Sequence, residues 1–402
     1  MIDKANTMSA TAVAHGMDGS LVEPDWPPLS AEEVARVLRQ FDGFDGPVKI
    51  LTVSPRPFSA ASVAGVGGRR VFVKRHARTV RGAEGLREEH RFMAYLRTRG
   101  TAVPEVFATE DGETAAEIGE WTYEVHATPP GIDLYGDAIS WTPFRSVHHA
   151  RAAGQAMARL HLAAEGFEEA ARVQRPLVAS FTIFGATDAG AEMDRYLSER
   201  PALNLYFRKH GYRDEALALL APFHAELFPL ISFLEPLWTH NDLHASNLFW
   251  SDTSDCAEPT AIVDFGLADR TNAVHDIAHA IERNIVEWLT LVNDPKRPEG
   301  VAVHFDHLHA LLRGYEQVRL LSDEEAAALA PMTALCHAEF ALSETDYFLS
   351  ILETEEKAPM AADGWLLGHA RWFHSVAGRK LLDELRRWAD ARGRDGREAT
   401  GQ

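Results

Sequence analysis

Two short apolar runs, each tied to oxygen-bearing side chains and separated by a polar turn, constrain this chain more than any other feature of its 402 residues. The first lies in residues 237–250, LWTHNDLHASNLFW, and the second in residues 261–276, AIVDFGLADRTNAVHD. Leu248-Phe249-Trp250 and Ala261-Ile262-Val263 read as strands. Residues 251–259, rich in Ser, Asp, Thr and Pro, read as the turn of a hairpin. Such a hairpin would carry Asp264 to the segment that holds Asp242 and Asn247.

Transfer of a γ-phosphoryl group to a hydroxyl needs a carboxylate near the attacking oxygen. It also needs oxygen ligands for Mg²⁺ and positive charge on the nucleotide phosphates. Asp242 and Asn247 lie five positions apart with His240 two before the Asp. That is the His-x-Asp-x-x-x-x-Asn spacing of a kinase catalytic loop. In this scheme Asp242 accepts or orients the acceptor proton. The Asn247 carbonyl and Asp264, which opens Asp264-Phe265-Gly266, bind Mg²⁺, a hard cation suited to oxygen ligands. The bland alternative is a surface hairpin with scattered acids. Both motifs, in order and joined by two strand-like runs, weigh against it.

On these residues the stretch resembles the aminoglycoside phosphotransferase and choline kinase superfamily, small-molecule kinases with a protein-kinase-like fold. The family loop His-Gly-Asp-x-His-x-x-Asn is matched by His240-Asn241-Asp242-Leu243-His244-Ala245-Ser246-Asn247. Asn241 replaces the Gly, and Asn tolerates positive φ better than most residues. The family's Ile-Asp-Phe/Trp-x-x-Ala and Asp-x-Ala are similar to Ile262-Val263-Asp264-Phe265-Gly266-Leu267-Ala268 and Asp276-Ile277-Ala278. The resemblance implies an α+β, two-lobed protein-kinase-like fold: a small N-lobe antiparallel sheet with a helix, and a larger, mostly helical C-lobe. It also implies that Asp276, with His240, supports the catalytic loop rather than binding metal.

The implied organisation is a flexible tail over 1–28, a nucleotide-binding N-lobe over 29–126, a catalytic and acceptor-binding C-lobe over 127–388 and a frayed tail over 389–402. Ser30 and Glu33 mark a capped helix start, and residues 48–74 read as three strands with Gly67-Gly68 as a turn. Residues 54–61, SPRPFSAA, occupy the place of a phosphate-covering loop without a Gly-x-Gly-x-x-Gly. Small residues there, Ser59 among them, could bring backbone N–H groups near phosphates. Lys74 ends the third strand, where a kinase Lys holds the α- and β-phosphates. Its candidate partners on the next helix are Glu88 and Glu89, and the family pattern favours Glu89. In the alternative, Lys74 is a solvated strand end and both acids pair with Arg. Residues 121–127 alternate and enter a linker. In this fold they would be the hinge whose backbone reads adenine around Glu124, Val125 and Ala127.

Residues 147–164 read as a helix whose small residues let it sit close to the catalytic loop, and residues 192–227 as two or three helices broken near Pro201 and Gly211. Beyond Asp276 the chain reads as helix throughout. Only eleven residues separate Asp264 from Asp276, and no Ala-Pro-Glu follows. A peptide acceptor would therefore lack its platform, which favours a small hydroxylated acceptor. The family's acceptor wall is acidic when the substrate is a polyamine. Candidates are Asp133, Asp137, Glu282, Glu339, Glu344 and Asp346, with Trp288, Trp365 and Trp372 as aromatic walls. Glu339, Ser343 and Asp346 share one helix face, and the blander reading of it, a solvated face, is preferred. His304, His307 and His309 lack the framework of a metal site.

The net charge of −19 argues against a nucleic-acid partner and is compatible with a cationic acceptor. Two cysteines imply a reducing cytoplasm, and no run of 18 apolar residues is evident for a membrane. Monomer and homodimer both stay open. The expectation is an ATP- and Mg²⁺-dependent phosphotransferase of a small metabolite or antibiotic, with GTP not distinguished from ATP. The rival readings are a pseudokinase, binding nucleotide or acting as a scaffold without turnover, and a kinase of protein side chains. Asn241 and the irregular phosphate loop motivate the pseudokinase. The intact Lys74, Asp242, Asn247 and Asp264 oppose it.

Overall fold

The three strand runs of residues 48–74 come together with two later ones in a five-stranded antiparallel sheet of order β1-β2-β3-β5-β4. Its strands are β1 Val48–Val53, β2 Ala60–Val66, β3 Arg69–Ala77, β4 Ala116–Ile118 and β5 Trp121–Ala127. The computed structural model describes residues 24–400 apart from 55, 137, 139–140, 174–175 and 289–299, with side chains described to residue 392. Residues 1–23 of the expected tail and Asp137 therefore lie outside the described residues. Gly67 and Gly68 have φ of 54° and 78°, left-handed values that Gly adopts without a Cβ clash, so the β2–β3 turn closes in two residues.

Helix α1 (Ala31–Leu38) starts where the sequence indicates: Ser30 Oγ accepts from the Glu33 N–H at 3.1 Å. It buries Val34, Val37 and Leu38 in a core shared with Val71, Val73, Tyr123 and Val125 of the sheet. Helix α2 (Ala83–Thr98) sends Phe92, Met93 and Leu96 to the larger core instead. The helix that follows Lys74 in sequence is thus packed on the other lobe.

The larger lobe is built on helices α3 (Val147–Ala164), α4 (Ala189–Ser198), α5 (Pro201–His210), α6 (Tyr212–Leu227) and α7 (Ala273–Ile285). They are followed by α8 (Phe305–Glu316), α9 (Asp323–Leu335), α10 (Ala338–Asp346) and α11 (Val376–Thr400). Residues 389–400, expected to fray, continue α11. The breaks at Pro201 and Gly211 fall as expected. The small residues of α3 serve a different contact from the one anticipated. A Cβ on Gly154 would lie 2.1 Å from the Leu311 carbonyl oxygen, and one on Gly314 would lie 2.0 Å from that of Arg151. The close approach is to α8, not to the catalytic loop.

Two departures concern polarity. Helix α7, which carries the acceptor candidate Glu282, is buried on every side, Glu282 and Arg283 included. Residues 212–233 are long and apolar enough to cross a bilayer by length and composition, a stretch the sequence reading did not single out, although Glu226 keeps it from being an unbroken run of 18 apolar residues. In this fold Ala216, Leu220, Phe223 and Leu227 pack inward. Arg213, Glu215 and Glu226 pair with Asp194, Arg371 and Arg386.

Candidate active site

The segment between β6 (Pro236–Thr239) and β7 (Leu248–Trp250) forms a loop fixed from three directions. Strand β6 pairs with β9 (Asp269–Asn272), and β7 pairs with β8 (Pro259–Ile262), so the expected hairpin forms. Asn241 has φ of 58°, the left-handed conformation for which Gly is usual and Asn is tolerated. Its Oδ1 accepts from the hydroxyls of Thr239 (2.9 Å) and Thr271 (3.0 Å) and meets His275 Nδ1 at 3.0 Å. Its Nδ2 donates to the Leu267 carbonyl.

Asp276, at the start of α7, holds the loop from below. Its carboxylate accepts the backbone N–H of His240 (3.1 Å) and of Asn241 (2.8 Å), and it bonds His161 Nε2 at 2.9 Å. Burial opposes charge on Asp276, but the His161 bond and charge, together with His240, outweigh it and hold the carboxyl below its ordinary range. Asp276 thus bonds the loop backbone and is not among the residues that line the cleft. His161 is a satisfied core histidine, bonded also to the Tyr315 hydroxyl. His240 Nε2 bonds the Val263 carbonyl at 2.9 Å and its ring lies edge-on to Phe265, so it tethers one oxygen-bearing segment to the other.

Asp242, Asn247, Asp264 and Lys74 line one cleft. Asn247 Nδ2 donates to the Asp242 carbonyl oxygen (2.8 Å) and to Asp242 Oδ2 (3.3 Å), so its amide oxygen is the atom turned away from Asp242. Asp264 leaves β8 with φ of 60°, a left-handed conformation found at functional turns. Its side chain is 42% exposed. A carboxylate and an amide oxygen are the hard donors that suit a divalent cation. Burial opposes charge on Asp242, but Arg283, with Nε 3.2 Å from Oδ1, and His244 outweigh it and keep the carboxyl below its usual range. At Asp264, which the cleft walls desolvate only in part, that opposition is likewise outweighed, here by the charge and hydrogen bond of Lys74.

Lys74 does not pair with Glu89. Its ammonium lies 2.9 Å from Asp264 Oδ1, and despite burial the charges of Asp264, Glu124 and Glu89 raise its pKa. Glu89 Oε2 is taken by Arg172 Nη2 at 2.7 Å, with both side chains buried. Arg172 also donates from its guanidinium to the Gly266 carbonyl and from its backbone N–H to Asp269 Oδ1. The alternative, in which the acid on α2 pairs with Arg, thus holds for Glu89. It fails for Lys74.

The expected adenine contacts are also corrected. The Val125 carbonyl accepts from the Phe107 N–H and the Ala127 N–H donates to Glu105, both at 2.8 Å. Those backbone groups already serve a bridge to residues 105–107. The Glu124 carboxylate is buried among His76, His90 and His126 at 2.8–2.9 Å. None of the three lines the cleft, whereas Ser59 does.

Of the acidic acceptor candidates among the described residues, only Glu344 lines the cleft. Glu339 accepts from Ser180, Thr182 and the Ile183 N–H, and Asp346 bonds Ser350 and faces Arg200. Both are internal braces. Glu282 lies behind the cleft wall, accepting from Trp141 Nε1 at 3.0 Å. Asp133 is exposed outside the cleft lining. The three tryptophans proposed as walls are core residues. The aromatic side chains that do line the cleft are Phe58, Trp141 and Phe340. Three cleft arginines, Arg56, Arg81 and Arg283, went unassigned in the sequence. Arg56 bonds Ser246 Oγ at 2.8 Å across 190 residues, and Arg283 lies over Trp141 with Cζ 4.4 Å from the ring centre. Arg56 was legible as a charge in the SPRPFSAA loop, and Arg283 as the neighbour of Glu282.

A family model described as the phosphotransferase enzyme family matches residues 55–321. A search of curated proteins finds no match. Among solved structures, the chain is similar to a microcompartment-associated aminopropanol kinase. The identity is 16% and the TM-score 0.53, covering 87% of this chain and 99% of that one. It is similar also to the amicoumacin kinase hAmiN, solved with AMP-PNP, Ca²⁺ and Ami. There the identity is 15% and the TM-score 0.52, covering 90% and 94%. At such identities the likeness carries the kinase-like fold and nothing finer.

Proposed function

The chain belongs to the phosphotransferase enzyme family, and from that premise we propose that it is an ATP- and Mg²⁺-dependent kinase of a small hydroxylated metabolite or antibiotic. The observation that carries this reading is the convergence of Asp242, Asn247, Asp264 and Lys74 on one cleft from both lobes. The acceptor O–H attacks the γ-phosphorus, the bond to the bridging oxygen breaks, and ADP leaves. Asp242, ionised and held by Arg283 and Asn247, receives the hydroxyl proton. Asp264 and the Asn247 amide oxygen would hold the divalent ion, which when bound neutralises charge on the phosphate oxygens. Lys74 is then available to the α- and β-phosphates, and Asp276 keeps the backbone of His240 and Asn241 in place.

The cleft carries Arg56, Arg81 and Arg283 beside aromatic walls, and the one acceptor candidate among the described residues that lines it, Glu344, is largely protonated at neutral pH because burial pushes its pKa up to about 8. That charge balance favours an acceptor with anionic or neutral polar groups over a polyamine. The test is coupled ADP release across a panel of hydroxy acids, sugars, amino alcohols and aminoglycosides. A turned-over acceptor is expected, with kcat falling on the order of 10²-fold or more in Asp242→Asn while nucleotide affinity holds. Equal rates in wild type and Asp242→Asn would instead favour the pseudokinase reading.

A further inference from the structure

Behind the cleft wall, on the far side of Arg283, three ligand-type side chains converge in a place the phosphoryl-transfer chemistry does not use. Glu282 of α7, His337 at the start of α10 and His369 each offer one donor atom within 4.8 Å of the others. All three are more than nine-tenths buried. Both nitrogens of His337, both of His369 and Glu282 Oε2 take no hydrogen bond among the described residues. His369 Nδ1 faces Glu282 Oε1 at 3.3 Å without hydrogen-bond geometry.

That spacing has a physical reading. A tetrahedral ion with bonds of about 2.0–2.1 Å holds its ligand atoms about 3.3–3.4 Å apart. Two imidazoles and a carboxylate are a donor set that zinc and its first-row neighbours take. Burial favours the neutral imidazole, the form that ligates. The surroundings fix the donors. Trp288 stacks on His369 with ring centres 3.7 Å apart, and Trp141 Nε1 donates to Glu282 Oε1 at 3.0 Å. Such outer contacts set the orientation of metal ligands. A bland reading, in which Glu282 and His369 are a simple buried pair, leaves both nitrogens of His337 and the second nitrogen of His369 without any partner.

We propose that Glu282, His337 and His369 form a binding site for one divalent transition-metal ion, zinc being the best chemical fit, separate from the Asp264–Asn247 cation position. The ion would pin α7, α10 and the helical segment after residue 360 behind Arg283 and Trp141, two residues of the cleft wall.

The full chain, incubated with zinc and desalted, is assayed for bound metal by plasma mass spectrometry. About one retained equivalent is expected, kept in Asp264→Ala and lost in His337→Ala and His369→Ala. No retained zinc in the wild type, or equal retention in the two histidine variants, would overturn the site. Cobalt titration of the wild type and of Asp264→Ala needs no histidine variant to fold. Intense visible bands of four-coordinate cobalt in both proteins support the site, and their absence from Asp264→Ala counts against it. Because both readouts are of metal binding alone, they stand whether or not an acceptor is found.

Discussion

Lys74 Nζ lies 2.9 Å from Asp264 Oδ1, so a single ion pair joins the sheet of the small lobe to the second oxygen-bearing segment of the large one. The ammonium occupies the flank of the carboxylate that a divalent cation would share. Loading the cleft with nucleotide and metal should transfer Asp264 to the cation and Lys74 to the phosphates. Asp264→Ala is therefore expected to abolish metal-dependent transfer while leaving the circular dichroism spectrum unchanged. Lys74→Ala removes a charge-assisted contact of about 1.5–3 kcal/mol. A non-hydrolysable ATP analogue should accordingly bind about 10- to 100-fold more weakly by calorimetry. Unchanged analogue affinity would sink the assigned role of Lys74.

Glu89 and Arg172 carry a prediction of the opposite kind, on stability. Their contact, at 2.7 Å, is buried on both sides, and truncating one member of a buried pair leaves an uncompensated charge. Arg172→Ala is expected to cost about 3–5 kcal/mol in denaturant unfolding. Adding Glu89→Gln should return part of that loss, since the orphaned charge is then gone. A double variant less stable than Arg172→Ala alone would show that Glu89 has another essential partner.

The loop turn at Asn241 separates backbone strain from side-chain bonding. Asn241→Gly keeps the φ of 58° at no steric cost but deletes the acceptor shared by Thr239, Thr271 and His275. A loss of about 1–3 kcal/mol follows from those buried groups. Asn241→Ala loses the same bonds and adds a left-handed penalty of about 1–2 kcal/mol. The expected order of stability is wild type, Gly, Ala. Alanine matching glycine would mean that the turn relaxes.

The same residues show what a sequence can and cannot disclose. Motif spacing anticipated where Asp242, Asn247, Asp264 and Asp276 sit, because each position is set by local chain geometry: a loop, a strand end, a helix start. Alternation and turn chemistry likewise located β1 to β3 and the α5–α6 break. Partners chosen across the fold were not legible. Arg172 reaches Glu89 over 83 positions, and Arg56 reaches Ser246 over 190. The acidic face of α10 could not be told from a solvated one, because the residues that bury it, Ser180 to Ile183, sit in a distant loop. The hinge assignment failed for a related reason. Residues 105–107 bridge the far edge of β5 at a point where no pattern announces a strand.

Glu344 supplies a pH dependence whose sign is fixed. Burial raises its carboxyl pKa from an ordinary 4.5 to about 8. Between those values the folded chain retains a proton that the unfolded chain has released, so the folded state binds more protons. Stability contributed at this site is then greatest below about pH 4.5 and declines as pH rises toward 8, after which both states are ionised and the decline stops. Glu344→Gln removes the titration while keeping a neutral polar side chain in the cleft. Melting temperatures measured from pH 5 to 9 should show the variant gaining on the wild type as pH rises, with the gap levelling above about pH 8. A constant gap across that range would mean that Glu344 ionises normally, and that its charge is available after all to a cationic acceptor.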